Sequence, residues 1–364
     1  MTLNIKYDLK SAFERRSIQF IPDTVLPFGK LRTDHMFLID YDGERWINPR
    51  IVPYGDLSIS PGAVCLNYAQ GIFEGAKAFK HPDGKIYTFR IDQNARRMNL
   101  SAEIMCIPQI SENDQIEGIH SLIDVDRLWF PEQEGASLYI RPLIFGTEDA
   151  LGVRPSKTYT FCVFLSPSGP YYIDGFTKPV KLLITQQYHR AVPGGSGSAK
   201  AAGNYGASLR VGEFAHEFGA AQALYLDTSN TLIEEAGAMN HFHVTADGKI
   251  IIPEFTDTIL RSITARSVLE LGEVLQAVVK QERIPLEEFI LKVRDREILE
   301  AGGLGTAAVV TAVGAYVFED RRELQVGEGD IGAVTRRIYE TITGIQTGKL
   351  TAPSGWMQRV ETKS

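Results

Sequence analysis

The chain contains 364 residues, of which 44% are hydrophobic and 23% are charged. This composition is typical of a soluble globular protein, and the length predicts two or three domains of roughly 150 residues each. The 45 acidic residues outnumber the 38 basic residues, which gives a formal net charge of −7. Nucleic acids and anionic membranes bind surfaces dense in positive charge, so neither is expected as the main partner.

Leader, membrane and cysteine patterns favour a cytoplasmic protein. The first 16 residues contain no apolar run of the kind found in signal peptides. The longest apolar stretch, residues 307–318, is shorter than the roughly 20 residues that a membrane helix requires. Cys65, Cys106 and Cys162 are widely spaced without a CxxC pair. They predict buried thiols in a reducing cytosol rather than disulfides or a zinc site.

The first half of the chain predicts strands with helices between them. Four segments rich in aromatic and β-branched residues are predicted strands: 35–41, 85–90, 136–145 and 158–165. Asp92 is the predicted N-cap of a helix over 94–104, because apolar Met98 and Ile104 lie on that segment.

Residues 166–178 differ in composition from the segments on both sides. Proline, glycine and serine concentrate here, as they do in linkers between domains. The sequence therefore predicts a smaller α/β domain at 1–168, a linker at 169–180 and a larger α/β domain at 181–364.

The second half mixes both element types as well. The predicted strands are 180–186, 223–226, 239–245, 249–252 and 307–318, and the predicted helices are 208–218, 263–279, 286–301 and 331–343. Ala246-Asp247-Gly248 predicts a hairpin turn. Mixed elements with many antiparallel hairpins favour two α+β domains over a regular βαβ winding.

The glycine-rich loop 193–206 contains one lysine, Lys200, among small side chains. A P-loop requires glycine before the lysine and serine or threonine after it, but this chain has Ala199 and Ala201. Neither this loop nor 302–305 has the G-x-G-x-x-G spacing of dinucleotide-binding loops. A lysine flanked by small residues can form a Schiff base, because apolar surroundings favour the neutral amine that attacks an aldehyde. The alternative is a solvated lysine in a flexible loop.

Six motifs resemble those of the branched-chain amino-acid aminotransferases, which are class IV aminotransferases and fold type IV pyridoxal-phosphate enzymes. In chain order they are Asn67-Tyr-Ala-Gln-Gly-Ile-Phe-Glu-Gly75, Phe89-Arg90, Tyr139-Ile-Arg-Pro142, Lys200-Ala-Ala-Gly-Asn-Tyr205, Glu234-Glu-Ala-Gly-Ala-Met-Asn240 and Gly305-Thr-Ala307. The resemblance covers most of the chain. It implies a mixed α/β, two-domain fold with the cofactor site between the domains, and a homodimer in which a partner loop completes the site.

The resemblance implies pyridoxal 5′-phosphate as the cofactor. Lys200 resembles the lysine that holds it as an internal aldimine and later moves a proton between Cα and C4′. Glu235 resembles the acid that keeps the pyridine nitrogen protonated, so that the ring accepts electrons, whereas Glu234 is expected to be a solvated charge. Tyr205 resembles the tyrosine at the phenolic oxygen. The resemblance also implies four phosphate-binding residues. Arg90 supplies a forked donor, Ile263 and Thr264 lie at a helix N-terminus, and Thr306 supplies a hydroxyl.

The resemblance also implies a substrate pocket with aromatic walls and a rim that accepts a second carboxylate. The matching residues are Phe28, Tyr68, Phe73, Tyr139, Arg141, Tyr171, Ala238 and Ala307. The turn at Thr306 and Ala307 is expected to bind the substrate α-carboxylate, partly through backbone N–H groups. Aromatic residues lie more often in a core than in a pocket, so Phe28 and Tyr171 have core packing as an equal alternative.

Two departures from the family pattern have consequences. Ala238 stands where the animal enzymes carry threonine, which removes one polar contact near the substrate. Residues 307–311 lack the CxxC of those enzymes, so no thiol redox switch is expected. His241 and His243 alternate along a strand, but no third ligand has suitable spacing for zinc. No metal is therefore expected, and one of these histidines is predicted to face the core and the other to face solvent.

Together the motifs predict a transaminase that exchanges the amino group of Leu, Ile or Val with 2-oxoglutarate by ping-pong kinetics. The expected role is branched-chain amino-acid biosynthesis, with breakdown of the same amino acids as the alternative. Within the superfamily, a D-amino-acid transaminase and an aminodeoxychorismate lyase are alternatives. A non-catalytic protein whose loop binds an anionic metabolite is an alternative of a different class.

Overall fold

The packing divides the chain into two compact units. The structure is a computed structural model that describes residues 3–11, 13–20, 26–169, 171–172 and 176–362. The first unit comprises Met1–Ile173, Ala199–Gly203 and Ile345–Ser364, and the second comprises Asp174–Ser198 and Asn204–Gly344. Among the helices of the described residues, none is both long and apolar enough to cross a membrane.

The predicted domain boundaries differ from these units at two segments. Residues 199–203 and 345–364 pack with the first unit, which is the longer one, whereas the prediction placed both in a larger second domain. The physical reason is pairing: Ala201 forms an antiparallel bridge with Ile72, and the last strand of the chain joins the first-unit sheet. Of the predicted linker, residues 170 and 173–175 lie outside the described residues.

A nine-stranded sheet forms the framework of the first unit. Its strands are β1 (Lys6–Tyr7), β2 (His35–Tyr41), β3 (Trp46–Pro53), β4 (Gly71–Phe73), β5 (Ala76–Lys80), β6 (Ile86–Phe89), β7 (Ser137–Gly146), β8 (Tyr159–Ser168) and β18 (Met357–Arg359). The order is β1-β3-β2-β8-β7-β5-β6-β18, and β4 pairs with β7. β2 has the predicted bounds, while β8 continues to Ser168, into the segment that the composition assigned to the linker.

Three α-helices accompany this sheet: α1 (Val64–Tyr68), α2 (Ile91–Ile104) and α3 (Glu112–Val125). The core contains large side chains of the sheet, including Phe37, Tyr159 and Phe161, packed with residues of α2 and α3. The N-cap of α2 is Arg90, in the left-handed conformation at φ 49° and ψ 38°, and not Asp92. Asp92 lies in the first turn of the helix, where a negative charge interacts favourably with the helix dipole.

A second sheet of nine strands forms the framework of the second unit. Its strands are β9 (Val180–Ile184), β10 (Gln222–Leu226), β11 (Ile233–Ala236), β12 (Met239–Thr245), β13 (Ile250–Pro253), β14 (Val279–Glu282), β15 (Ile298–Gly305), β16 (Val309–Phe318) and β17 (Glu323–Gln325). The order is β11-β10-β9-β16-β15-β12-β13-β14, with β17 on β16. Because β11 also pairs with β12, six strands close into a ring, which leaves those six without an unpaired edge.

Four helices follow β9 in the chain: α4 (Ala202–Glu217), α5 (Ile263–Glu270), α6 (Leu286–Arg294) and α7 (Ala333–Gln346). The predicted helices 263–279 and 286–301 were too long. Turns and β14 replace the end of the first, and β15 replaces the end of the second. The predicted hairpin is present between β12 and β13, where Gly248 has a φ of +80° that other residues rarely adopt.

The cysteines differ in exposure from the prediction. Cys162 is buried, Cys65 is half-buried and Cys106 is exposed, and all three thiols are free. Cys106 follows Met105, the C-cap of α2, and has a φ of +53°. The prediction of three buried thiols was therefore wrong for Cys106, because this residue lies in a surface turn.

His241 and His243 are both buried, so the prediction that one of them faces solvent was wrong. Residues two positions apart on a strand share a face, and here the two rings lie 5.9 Å apart with Phe289 of α6 5.5 Å from each. Burial lowers the pKa of both histidines, to about 4 for His243. Both rings are therefore neutral at pH 7, and a hydroxyl of Tyr316 lies 3.0 Å from His241 Nε2.

We expect this pair to make the protein acid-sensitive. An unfolded histidine takes up a proton near pH 6.5, whereas folded His243 stays neutral down to about pH 4. The free energy of unfolding should fall over that range, by up to about 3 kcal/mol for this residue. Urea unfolding at pH 7 and pH 5 should show a smaller decrease for His243→Leu than for the wild type. His216→Leu, at an exposed position on α4, should keep the wild-type decrease; equal decreases in all three proteins would contradict the expectation.

Candidate active site

Lys200 lies in a short segment whose backbone is fixed on both sides. Its carbonyl accepts a hydrogen bond of 3.0 Å from the N–H of Phe73, at the end of β4. Its own N–H donates a hydrogen bond of 2.9 Å to Ser101 Oγ on α2. The neighbours Ala199 and Ala201 are buried in the first-unit core. The Lys200 Nζ lies 4.8 Å from the centroid of the Phe73 ring, so Phe73 contacts both the backbone and the amine of Lys200.

Arg90 is placed by the end of β6 and by the C-terminal segment of the chain. Its N–H donates a hydrogen bond of 2.6 Å to the carbonyl of Trp356. Its guanidinium carbon lies 4.2 Å from the centroid of the Trp356 ring, within the range of a cation–π interaction. The left-handed backbone at Arg90 and this stacking together set the direction of a cation that is only 4% exposed.

Four of the predicted substrate residues form one cluster in the first unit. Phe28 packs edge-on against Tyr139, with ring centroids 4.9 Å apart. Arg141 donates a hydrogen bond of 3.0 Å to the Tyr139 hydroxyl, and its guanidinium carbon lies 5.0 Å from the Phe73 ring centroid. A Cβ at Gly75 would lie 2.1 Å from the same hydroxyl, so only glycine fits there. The cluster therefore combines apolar walls with one cation.

Tyr68 and Tyr171 are not part of this cluster. Tyr68 donates a hydrogen bond to the carbonyl of Leu151, and Tyr171 packs against Tyr172 with ring centroids 5.0 Å apart. Within the described part of the chain, neither makes a hydrogen bond or ring contact with Phe28, Phe73, Tyr139 or Arg141. Both remain half-exposed at the surface of the unit.

Glu235 is a buried carboxylate of β11 with several partners in the second unit. Its Oε2 lies 3.1 Å from Nε of Arg190, and its Oε1 accepts hydrogen bonds from the Leu260 N–H at 2.7 Å and from Asn240 at 3.2 Å. Glu235 is only 3% exposed. Because an ionised acid in such a place requires a cation and donors, these partners favour the carboxylate form.

Glu234 is also buried, which corrects the expectation of a solvated charge. Its carboxylate accepts a hydrogen bond from the Thr258 hydroxyl, and burial raises its pKa. The reason is that both faces of β11 are covered, so consecutive side chains are buried although they point in opposite directions.

Asn240 connects Glu235 to the predicted phosphate and carboxylate positions of the second unit. In the ladder it lies opposite Glu235 on one side and Leu304 on the other. Its Oδ1 accepts a hydrogen bond of 3.2 Å from the N–H of Ser262, the N-cap of α5. The register thus brings β11, the start of α5 and the end of β15 to one end of the closed ring.

The residues predicted to bind the phosphate and the α-carboxylate at this end of the strand ring differ in burial. Ile263 and Thr264 occupy the first turn of α5 and are buried. Thr306 and Ala307 form the turn between β15 and β16 and are half-buried. This turn therefore offers a hydroxyl and backbone N–H groups at the surface of the second unit.

A cavity of about 270 Å³ in the second unit contains several of the predicted residues. Its lining includes Tyr205 from the first turns of α4, Glu235 with Arg190, and the small residues Gly237 and Ala238. The N–H of Ala238 donates a hydrogen bond of 2.9 Å to Gln222. The cavity thus places an aromatic hydroxyl and a buried carboxylate around a space bordered by small side chains.

Comparison with known proteins identifies the family. The family model described as Amino-transferase class IV matches residues 71–313, a span that includes Lys200, Tyr205 and Glu235. The chain belongs to this family. A probable branched-chain-amino-acid aminotransferase of Staphylococcus epidermidis is 44% identical over 97% of this chain and 98% of its own length. Branched-chain-amino-acid aminotransferase 2 of Bacillus subtilis is 42% identical over 92% of each chain.

Solved structures of branched-chain amino acid aminotransferases have the same fold. The branched-chain amino acid aminotransferase of Escherichia coli aligns with a TM-score of 0.72 at 28% identity, over 90% of this chain and 99% of its own. Another branched-chain amino acid aminotransferase, solved with pyridoxamine 5′-phosphate, aligns with a TM-score of 0.74 at 25% identity, over 89% of this chain and 98% of its own. These findings confirm the predicted family, the mixed α and β fold class and the assignment to the branched-chain aminotransferase enzymes.

Sequence reasoning assigned no role to several residues that support the predicted site residues. Arg190 and Asn240 hold Glu235, while Trp356 stacks on Arg90. Arg97 binds a further buried acid, Glu74. The available signal was chemical: a glutamate predicted to remain ionised inside a protein requires a cation, although the sequence does not indicate which arginine supplies it.

Gly237 tests how tightly the wall of this cavity is built. The residue has a φ of +60°, and a Cβ there would lie 1.6 Å from Gln222 Oε1, the acceptor for Ala238. We expect Gly237→Ala to lower the free energy of unfolding by about 1–3 kcal/mol, measured by urea titration. Gly206→Ala, in α4 with open space around the new Cβ, should instead stabilise by about 0.5–1 kcal/mol. A neutral Gly237→Ala would show that the cavity wall relaxes freely.

Proposed function

We propose that the protein transfers the amino group between the branched-chain L-amino acids Leu, Ile and Val and 2-oxoglutarate, with pyridoxal 5′-phosphate as the cofactor. The single observation that carries the proposal is the buried Glu235–Arg190 pair, which faces a cavity beside Tyr205. The names of the relatives that are 42–44% identical support the choice of amino acids. The neighbour solved with pyridoxamine 5′-phosphate supports the choice of cofactor.

The residues of this cavity fit such a cofactor. An ionised carboxylate matches a protonated pyridine nitrogen, and a tyrosine hydroxyl matches a phenolic oxygen. Gly237 cannot carry a side chain without displacing Gln222, and Ala238 is small, so the space beside Glu235 stays open to a flat ring. When bound, pyridoxal 5′-phosphate supplies an electrophilic carbon for the amino group and a ring that accepts electrons.

The remaining cofactor-binding residues would act on its other groups. Lys200 would form the covalent link through its amine, with its backbone fixed by Phe73 and Ser101. Arg90 would bind the phosphate, because a forked guanidinium suits a dianion. Ile263, Thr264 and Thr306 would add backbone N–H groups and a hydroxyl at the same phosphate.

Lys200 would also move the proton that transamination requires. Once the substrate amine had displaced it, the Lys200 Nζ would take a proton from the substrate Cα and would return a proton at the cofactor carbon that receives the amino group. The return reaction on 2-oxoglutarate uses the same positions in the reverse order. Ping-pong kinetics are therefore expected.

The aromatic cluster of the first unit would bind the substrate side chain. Phe28, Phe73 and Tyr139 form apolar walls suited to a branched aliphatic group, and Arg141 offers a cation to the second carboxylate of 2-oxoglutarate. Ala307, with Thr306, would bind the α-carboxylate through backbone N–H groups. Ala238 would leave the pocket without the hydroxyl that a threonine supplies.

We further propose a cytoplasmic homodimer that uses the surface around Tyr68. Leu66, Leu151 and Val153 are exposed large hydrophobic residues of the first unit, and Val153 is 85% exposed. Tyr68 contacts Leu151 within this patch. A second copy of the chain would cover the patch and bring a loop towards the substrate, as the resemblance implies. Tyr171, which is also exposed on the first unit, would then bind substrate from another position.

Lys200→Ala tests the proposed chemistry. Loss of both the covalent link and the proton carrier should reduce turnover of Leu with 2-oxoglutarate by about a thousandfold or more. Borohydride reduction of the wild type should attach the cofactor to Lys200, as detected by peptide mass spectrometry. Lys85→Ala, at an exposed lysine paired with Asp83, should keep normal rates. Multiple turnovers at the normal rate by Lys200→Ala would overturn the proposal.

Arg141→Met tests whether the pocket for the branched side chain also binds the second carboxylate of 2-oxoglutarate. Removing the cation should lower kcat/KM for 2-oxoglutarate about 10- to 100-fold, the value of a charged hydrogen bond. The kcat/KM for 4-methyl-2-oxopentanoate, which has no second carboxylate, should change less than about threefold. Arg96→Met, at an exposed arginine of α2, serves as the control. A parallel loss for both oxo acids would remove Arg141 from the role of carboxylate partner.

A further inference from the structure

A second cavity of the second unit, of about 190 Å³, shares no lining residue with the cavity that contains Tyr205 and Glu235. Its buried walls are Glu234, Thr258, Pro253, Ile233, Ile259 and Ile284. Its exposed lining includes the acids Glu254, Asp257 and Glu282. We call this space the acidic cavity. None of these residues has a role in the proposed function.

Glu234 of β11 has one carboxylate oxygen without a donor. The residue is only 5% exposed, and its Oε1 accepts a hydrogen bond from the Thr258 hydroxyl. Its Oε2 is shielded from solvent, and no donor of the described residues reaches it. The guanidinium of Arg190 pairs with Glu235 instead. Because a buried carboxylate requires donors and a cation, Oε2 is the atom of the acidic cavity to which a ligand can bind.

The surroundings of Glu234 disfavour its ionised form. Burial raises the pKa of Glu234, and the negative charges of Asp227 and Asp257 raise it further. The Thr258 hydrogen bond and the charge of Arg190 lower the pKa without reversing that direction. A cation bound at Oε2 would favour the ionised form.

Acids outnumber bases around the acidic cavity. The acids that line it are Asp227, Glu234, Glu254, Asp257 and Glu282. Among the described lining residues, Arg283 is the one with a basic side chain. Its Nε lies 3.3 Å from Glu254 Oε2, and both side chains are exposed, so its charge is compensated at the surface. A concave site lined mainly by one sign of charge attracts ligands of the opposite sign.

The chemistry of the walls favours an organic cation over a metal ion. A calcium ion takes at least about six oxygen ligands, whereas the described residues contain no group of three acidic, histidine or cysteine side chains placed to hold a metal. The walls include Ile233, Ile259 and Ile284, which are 2–5% exposed. Such walls suit methylene groups, and an ammonium donates a strong hydrogen bond to a carboxylate. A water molecule would donate to Oε2 as well but would leave the negative charge uncompensated.

We propose that the acidic cavity binds a small primary alkylammonium ion, whose ammonium group donates a hydrogen bond to Glu234 Oε2 and whose alkyl chain lies against the isoleucine walls. A free aliphatic amine and the side chain of a lysine from another protein share this chemistry. The site is separate from the proposed transamination, so its test requires no turnover.

Isothermal titration calorimetry of the full-length protein with n-butylammonium tests the proposal. The protein is first treated with borohydride, so that no aldehyde of a bound cofactor reacts with the amine. We expect saturable binding at one site. Butan-1-ol has nearly the same shape without the charge, and butyrate has the opposite charge. Both should bind at least about tenfold more weakly, because a hydrogen bond to a charged group is lost.

Three variants locate the binding site. Glu234→Gln keeps the shape of the side chain and removes its charge, so it should weaken n-butylammonium binding about 10- to 100-fold. Glu282→Gln, at an exposed position of the cavity, should weaken it less than about threefold, because solvent screens exposed charges. Glu288→Gln removes an exposed acid of α6 outside the cavity and should leave the affinity unchanged.

Two results would overturn the proposal directly. Equal affinities for n-butylammonium and butan-1-ol would show that the charge is not recognised, and this comparison holds even where Glu234→Gln does not fold. An unchanged affinity in folded Glu234→Gln would place the bound ion elsewhere. Binding of potassium or magnesium chloride without binding of n-butylammonium would likewise overturn the choice of ligand.

Nα-acetyl-lysine methylamide separates the two sources of the ammonium group. Stronger binding of this compound than of n-butylammonium supports a lysine side chain as the occupant, and weaker binding supports a free amine. None of these measurements depends on catalysis, so a failure of the proposed function would leave their results unchanged.

Discussion

An ionised carboxylate in a protein interior is stable only with a cation and hydrogen-bond donors around it, and both units are built around this requirement. In the second unit Glu235 has Arg190, Asn240 and a backbone N–H. In the first unit Glu74 has Arg97 and Asn94. Removal of one member of such a pair costs about 3–5 kcal/mol, because the other charge remains buried without compensation. The acids are thus coupled to the stability of the elements that carry them.

Closure of the strand ring determines where the acid of the second unit points. β11 pairs with both β10 and β12, so its register is fixed on two sides. A shift of one residue would exchange Glu234 and Glu235 between the two faces of the strand. One of these acids faces a hydroxyl and has a raised pKa, whereas the other faces an arginine and the cavity. Strand register therefore decides which of two adjacent glutamates can interact with a ligand in that cavity.

The sequence predicted the elements whose local pattern matches their environment. β2 and β12 have the predicted bounds, because alternating aromatic and branched residues mark them. β14 was not predicted as a strand, and only its first residue, Val279, fell within a predicted helix, since the residues that follow, Lys280–Glu282, are polar and exposed. It pairs only with β13 and forms an edge of the sheet, where charges protect against aggregation. The first half of β15, residues 298–301, was assigned to the end of a helix because it lacks the strict alternation of buried and exposed residues that marks a half-buried strand.

The motif residues could be named from the sequence, but their supporting partners could not, and the reason is the distance along the chain. Arg97 and Glu74 are 23 residues apart, and no spacing rule connects a strand end to the arginine of a later helix. The loop with Lys200 adds a second difficulty. Its residues 199–203 pack with the first unit, while Tyr205, two residues later, lies in the second. One continuous motif thus contains residues of both compact units, and a domain boundary predicted from composition does not fall inside that motif. The bridge from Ala201 to Ile72 makes that division, because it places the lysine beside Phe73.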